Sequence, residues 1–113
     1  MLSRFTEEDT SQINRELPFA ALLFTILAAS EVTLYESWKK LCNIDHLPQF
    51  KKVAREVVRQ VEVLGYDPLT VMQKRAEKTK SKNYREFLLG YVSAVRSGGN
   101  IVNFLKSKLR SIF

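Results

Sequence analysis

The chain has 113 residues, 45% of them hydrophobic, which fits one folded domain with its own core and excludes a disordered tail. A single cysteine, Cys42, and a single histidine, His46, put an internal disulfide and a protein-only His/Cys metal centre out of reach. The formal net charge is +6, but residues 1–50 carry four Lys/Arg against seven Asp/Glu and residues 51–113 carry fourteen against five. That asymmetry, −3 against +9, points to one face that attracts an anionic partner: nucleic acid, acidic lipid or an acidic protein surface.

Residues 6–16, TEEDTSQINRE, have the composition of a short helix capped by Thr6, with Ile13 as its only large apolar side chain and little to bury. Pro18 is expected to push Leu17 out of helical geometry and to open the next helix. The fourteen residues from Leu17 to Ser30 carry no charge and are closed by Glu16 and Glu31. As a helix they span roughly 21 Å, short of a hydrocarbon core of about 30 Å. A signal peptide is excluded as well, because Glu7, Glu8 and Asp9 precede the run where a signal carries positive charge. A short helix that is apolar all round is expected to be buried on every side.

Thr33 and Glu36 form a capping box for a second helix with Leu34, Trp38, Leu41 and Cys42 on one face, ending near Asn43. Pro48 opens a third, in which Phe50, Val53, Val57, Val61 and Leu64 keep helical spacing up to Gly65, a C-terminal stop. Asp67-Pro68 restarts the chain as cap and first-turn proline, with Leu69, Met72 and Ala76 as a thinner stripe. Ser81 caps a fifth helix facing inward through Tyr84, Phe87, Leu88, Tyr91, Val92 and Val95, and Gly98-Gly99 breaks it. Asn100 caps a sixth, with Ile101, Phe104, Leu105, Leu109 and Ile112 inward. Nothing alternates at period two for long enough to be a strand. The expected fold is all-α, a compact bundle of six helices with short loops.

Chemistry-bearing constellations are scarce. Ser97-Gly98-Gly99-Asn100 lacks the lysine and the preceding strand of a phosphate loop and reads as a helix stop followed by a capped start. His46 lies in a loop beside Asp45, Cys42 falls on an apolar face, and Glu56 and Glu62 share no face for acid–base work. No catalytic group, cofactor or metal is expected. The basic residues are the candidates for binding. Lys51, Lys52, Arg55 and Arg59 lie on the outer side of the third helix, the last three as a ridge at spacings of three and four. Lys74, Arg75, Lys78, Lys80, Lys82 and Arg85 surround a single Glu77 in KRAEKTKSKNYR, residues 74–85. The bland interpretation is a solvated face, yet six positive charges in twelve residues repel one another unless something neutralises them. Nucleic acid is disfavoured: the fifth helix starts basic and turns apolar, unlike an exposed recognition helix, and exposed aromatics for stacking single strands are not evident.

ELPFAALLFTILAASEVTLYESW resembles the start of the cytoplasmic domain of the type II secretion system F family. The order continues with VEVLG, DPLTVMQKRAEKT and YREFLLGYVSAVRSGGNIVNFLKSK, so the resemblance covers about residues 16–108. The wording is similar above all to archaeal members. Glu31 stands where the family usually has glycine, which implies a turn outside the usual left-handed geometry; Asn100 stands for aspartate and caps equally well. That family comprises the inner-membrane platform proteins of type II secretion, type IV pili and archaella. The resemblance implies a non-enzymatic domain at the cytoplasmic face of the cell membrane, which docks a hexameric secretion ATPase and passes its motion to pilin-like subunits. Residues 1–15 then read as a polar lead-in or stem toward a membrane span and residues 16–113 as the six-helix cytoplasmic domain. The Lys and Arg of LKSKLRSIF fit the positive-inside bias. Within this reading the basic set is the surface for the ATPase. The alternative is a basic helical module for anionic lipid headgroups or nucleic acid, and a two-fold homodimer is the default oligomer.

Overall fold

The first helix begins eight residues before Pro18. The computed structural model describes residues 8–112, and α1 runs unbroken over Thr10–Ala29 with Pro18 inside it. Its cap is Asp9, whose carboxylate accepts from the Gln12 amide at 3.1 Å; the expected cap at Thr6 lies outside the described residues. A proline inside a helix removes one hydrogen bond and crowds the carbonyl four residues back, at about 3 kcal/mol. Tertiary contacts offset this. Ile13, expected to have little to bury, is fully enclosed, as are Leu17, Ala20, Ala21 and Phe24. Residues 10–15, read as lead-in, are thus the first turns of a core helix.

Glu16 fixes where that helix docks. It is only 3% exposed, and its carboxylate accepts from the backbone amides of Gln49 at 3.0 Å and Phe50 at 2.9 Å. These amides belong to the first turn of α3 (Pro48–Glu62), whose cap position is held by Leu47 with no side-chain oxygen to offer. A carboxylate from α1 therefore supplies the cap in trans, satisfying orphan donors and meeting the positive end of the helix dipole. Gln12 holds it in place with a hydrogen bond of 2.8 Å.

The order continues with α2 (Leu34–Leu41) before α3, then α4 (Pro68–Lys78), α5 (Lys82–Arg96) and α6 (Ile101–Ile112). The fold is all-α, with six helices and no strand among the described residues. Helix α1 packs chiefly on α6, α2 on α3, and α4 on α5. Phe24 sits at the centre, its ring 4.9 Å from Trp38 and 5.9 Å from Phe87. Tyr91 links the α5 face to Phe104 of α6 at 6.3 Å. The radius of gyration, 13.1 Å, is that of a compact domain of this length, about 13 Å. The expected caps at Thr33, Ser81 and Asn100 all accept amide hydrogen bonds from the residue three further on.

Two expectations about α1 are overturned. Phe19, Leu22 and Ile26, spaced by three and four, form a ridge that is 42–57% exposed, so the apolar helix is not buried on every side; the core takes only the opposite stripe. The turn after it is left-handed after all. Glu31 has φ 65°, its amide bonds Ala28 O, and the Val32 amide bonds Leu27 O, which is a Schellman closure. Helix α5 ends the same way with Gly98 at φ 76°, where the missing Cβ makes that conformation free of strain. Two amide–carbonyl bonds hold Glu31 where glycine is the usual residue.

Candidate functional site

A groove between α3 and α4 gathers Lys74, Arg75 and Lys78 of the second basic set; no residue of the first set lines it, and Arg59 reaches it only through its ion pair with Glu56. The chain leaves α3, turns through residues 63–67 and re-enters a helix at Pro68, so the two helices form facing walls. Asp67 stands at the cap position of α4, but its side chain makes no cap bond. The groove has a volume of about 240 Å³, with Val57 and Val71 at its floor, Leu64 and Tyr66 at its rim, Glu56 and Gln60 on one wall, and Lys74, Arg75 and Lys78 on the other.

Charge is distributed unequally across it. On the α3 wall, Arg59 reaches Glu56 with Nη2 at 2.8 Å, and the Gln60 side-chain amide donates to the same carboxylate at 2.8 Å. Glu56 is held below the ordinary carboxylate range, first by the hydrogen bond from Arg59, against which partial burial works, then by Gln60 and by the charges of Arg59 and Arg75. That wall is neutralised. On the α4 wall the Lys74 ammonium lies 3.9 Å above the Tyr66 ring, a cation–π contact. Lys74, Arg75 and Lys78 make no ion pair with an acid among the described residues. This wall is a net cationic surface over an apolar floor.

The other predicted residues divide by position. Lys51 pairs with Asp45 and holds that carboxyl below its usual range through the hydrogen bond and the charge. Lys52 and Arg55 stay exposed along the outer ridge of α3. Lys80 and Lys82 are exposed at the α4–α5 turn. Arg85 is occupied in the fold: it donates to Ala76 O at 3.3 Å and Thr79 O at 2.7 Å, closing the C-terminal end of α4, where a cation also meets the helix dipole.

Several groove residues were not among the expected binding residues: Gln60, Leu64 and Tyr66. Leu64, expected on the inner stripe of α3, is 53% exposed beside Val63 at 70%, because α3 ends at Glu62 and both residues lie beyond it. Tyr66 and Phe19 are aromatics at the surface that the sequence did not make evident; the Tyr66 face is covered by Lys74 and is no open stacking platform. Glu62 accepts from the Tyr35 hydroxyl, a bond that pushes this exposed phenol up to about 12. The Cys42 thiol is raised by burial. Among the described residues no group of His, Cys, Asp and Glu is arranged to hold a metal ion.

A family model described as type II secretion system (T2SS), protein F, matches residues 19–112. The chain belongs to this family. The T2SS protein F match takes in α2 to α6 entire, together with the exposed ridge of α1, and it includes both walls of the groove. The chain is also 27% identical over 97 residues to the uncharacterized protein MJ1286 of Methanocaldococcus jannaschii. That alignment covers 86% of this chain and 16% of MJ1286, so the chain spans a small part of that relative's length. No solved structure matches it. Among the described residues of this T2SS protein F domain, no helix is long and apolar enough to cross a membrane.

Proposed function

We propose that this chain is the cytoplasmic domain of an inner-membrane platform protein, and that its basic groove docks a hexameric secretion ATPase. The domain has no catalytic task in this reading. It couples the ATPase to pilin-like subunits through the membrane part of a longer parent, with the segments before α1 and after α6 leading toward membrane spans. Family membership over residues 19–112 supports the platform role. The observation that carries the docking role is the α4 wall: among the described residues Lys74, Arg75 and Lys78 form no ion pair, while Lys51 and Arg59 do. Unpaired cations beside an apolar floor raise the encounter rate with an acidic surface and orient it. Short connections between the packed helices then let a push or rotation pass without stretching the domain.

Anionic lipid is the second reading, favoured by Lys80 and Lys82, which stand exposed at the neighbouring turn and would each contribute about 1 kcal/mol near an acidic leaflet. The experiment is a calorimetric titration of this domain with the secretion ATPase encoded nearest its gene. It compares wild type with a variant carrying Lys74, Arg75, Lys78, Lys80 and Lys82 changed to Glu. Binding by wild type and its loss in the variant, with helical circular dichroism unchanged, is the expected result. Equal binding by both proteins refutes docking through these residues.

A further inference from the structure

We infer that the α3–α4 groove takes a short acidic segment of a protein partner that also carries an apolar side chain, with carboxylates over Lys74, Arg75 and Lys78 and the apolar group between Leu64 and Tyr66. The inference rests on the docking reading and sharpens it, naming the chemistry of the bound segment. Three features of the groove converge on that ligand.

The first is charge. Lys74 and Lys78 are four residues apart on one helix face, a like-charge pair that disfavours the helix unless an anion sits between them. The second is the apolar rim. Val57 and Val71 are buried at the floor, yet Leu64 is 53% and Tyr66 39% exposed directly beside the cations. A bare carboxylate or phosphate leaves that rim wet, whereas an aliphatic or aromatic side chain covers it. The volume, about 240 Å³, lies below the ~300–1,000 Å³ of drug-sized ligand pockets and suits one or two side chains.

The third feature separates protein from lipid. Both oxygens of Glu56 are engaged by Arg59 and Gln60, and Gln60 spends its amide nitrogen on Glu56. Its side-chain carbonyl oxygen has no donor among the described residues, so this wall offers a hydrogen-bond acceptor beside a carboxylate already paired with Arg59. A peptide backbone brings N–H groups to meet such a wall. The phosphate oxygens of an anionic headgroup bring only acceptors to it.

The test uses fluorescence anisotropy on this chain with two labelled synthetic peptides of equal charge. One alternates glutamate with leucine, and the other has serine in place of leucine; vesicles of phosphatidylglycerol serve as the lipid arm. The leucine peptide is expected to bind the more tightly, and Leu64→Ser with Tyr66→Ser to weaken it by about tenfold or more, the scale for losing a half-buried apolar side chain. The serine peptide should not respond to that pair. Both side chains are exposed, so the variant keeps its core, which circular dichroism verifies. Equal affinity for the two peptides, no binding of the leucine peptide, or vesicles that displace it from wild type and bind unaffected by Gln60→Ala overturns the inference.

The same variants distinguish this inference from the docking reading when titrated with the ATPase. Loss of ATPase binding in Lys74→Glu/Lys78→Glu, with full binding in Leu64→Ser/Tyr66→Ser, leaves docking standing and removes the apolar contact. Insensitivity to both pairs removes docking and inference together.

Discussion

Replacing Glu16 by alanine should unfasten α1 from the start of α3, and the size of the loss follows from the geometry. The carboxylate serves two first-turn amides at 3.0 and 2.9 Å, and the amide of Phe50 is buried. Hydrogen bonds to a charged group contribute about 1.5–3 kcal/mol each, and the helix dipole adds roughly 0.3–1 kcal/mol. Leu47 offers no local substitute, and alanine leaves both donors facing protein. Repair by water at the more open Gln49 amide recovers part of this, so Glu16→Ala should lose about 3–5 kcal/mol. Glu16→Gln keeps one acceptor oxygen without the charge and should lose about half as much. Against a total of about 5–15 kcal/mol for a small domain, the alanine variant becomes marginal, and at roughly 4 °C per kcal/mol its Tm falls by about 12–20 °C. Urea denaturation followed at 222 nm measures the loss. Hydrogen exchange at the Gln49 and Phe50 amides measures its location. An alanine variant within about 1 kcal/mol of wild type, with those amides as protected as before, would refute the cap in trans.

Glu31→Gly should raise stability by up to about 1.5 kcal/mol, because the left-handed strain of about 1–2 kcal/mol disappears while the freer unfolded chain takes back about 0.4–1 kcal/mol; thermal melting gives the sign. Gly90→Ala should destabilise despite alanine's better helix propensity, since its Cβ would fall 2.6 Å from Cε1 and 2.7 Å from Cζ of Phe104. A net loss of about 1 kcal/mol is expected, and Phe104→Leu in the same chain should relieve it. The depressed carboxyl of Glu56 contributes stability that is complete above its unfolded value near 4.5 and fades as the pH falls through the lower folded value. Carbon-detected NMR titration should therefore find Glu56 below 4.5, rising toward it in Arg59→Gln and less so in Arg75→Gln.

Helix punctuation was legible because it is local. Thr33, Ser81 and Asn100 cap within three residues, and Gly98 stops α5 by its own backbone freedom. The inner faces of α5 and most of α3 followed from spacing alone. What failed depends on partners far along the chain. Pro18 looked like a boundary because nothing nearby says that Ile13 and Leu17 are enclosed by other helices. Glu16 looked like the end of an apolar run, and its real partners lie 33 and 34 residues on. Glu31's intrinsic preference points away from the left-handed turn, and the Schellman bonds override it. For the groove, the basic residues were visible as composition. Their division into neutralised Lys51 and Arg59, structural Arg85, and Lys74, Arg75 and Lys78 with no ion pair among the described residues required the fold, as did the apolar rim of Leu64 and Tyr66.

The most direct measurement separates a located cationic wall from net positive charge. ATPase affinity would be measured by calorimetry for Lys74→Glu/Lys78→Glu and for Lys106→Glu/Arg110→Glu, the second pair being exposed on α6 and changing the net charge equally. A loss of at least about tenfold, 1.4 kcal/mol, is expected for the groove pair and little change for the α6 pair. Equal losses from both pairs, or none from the groove pair, would contradict docking through the groove.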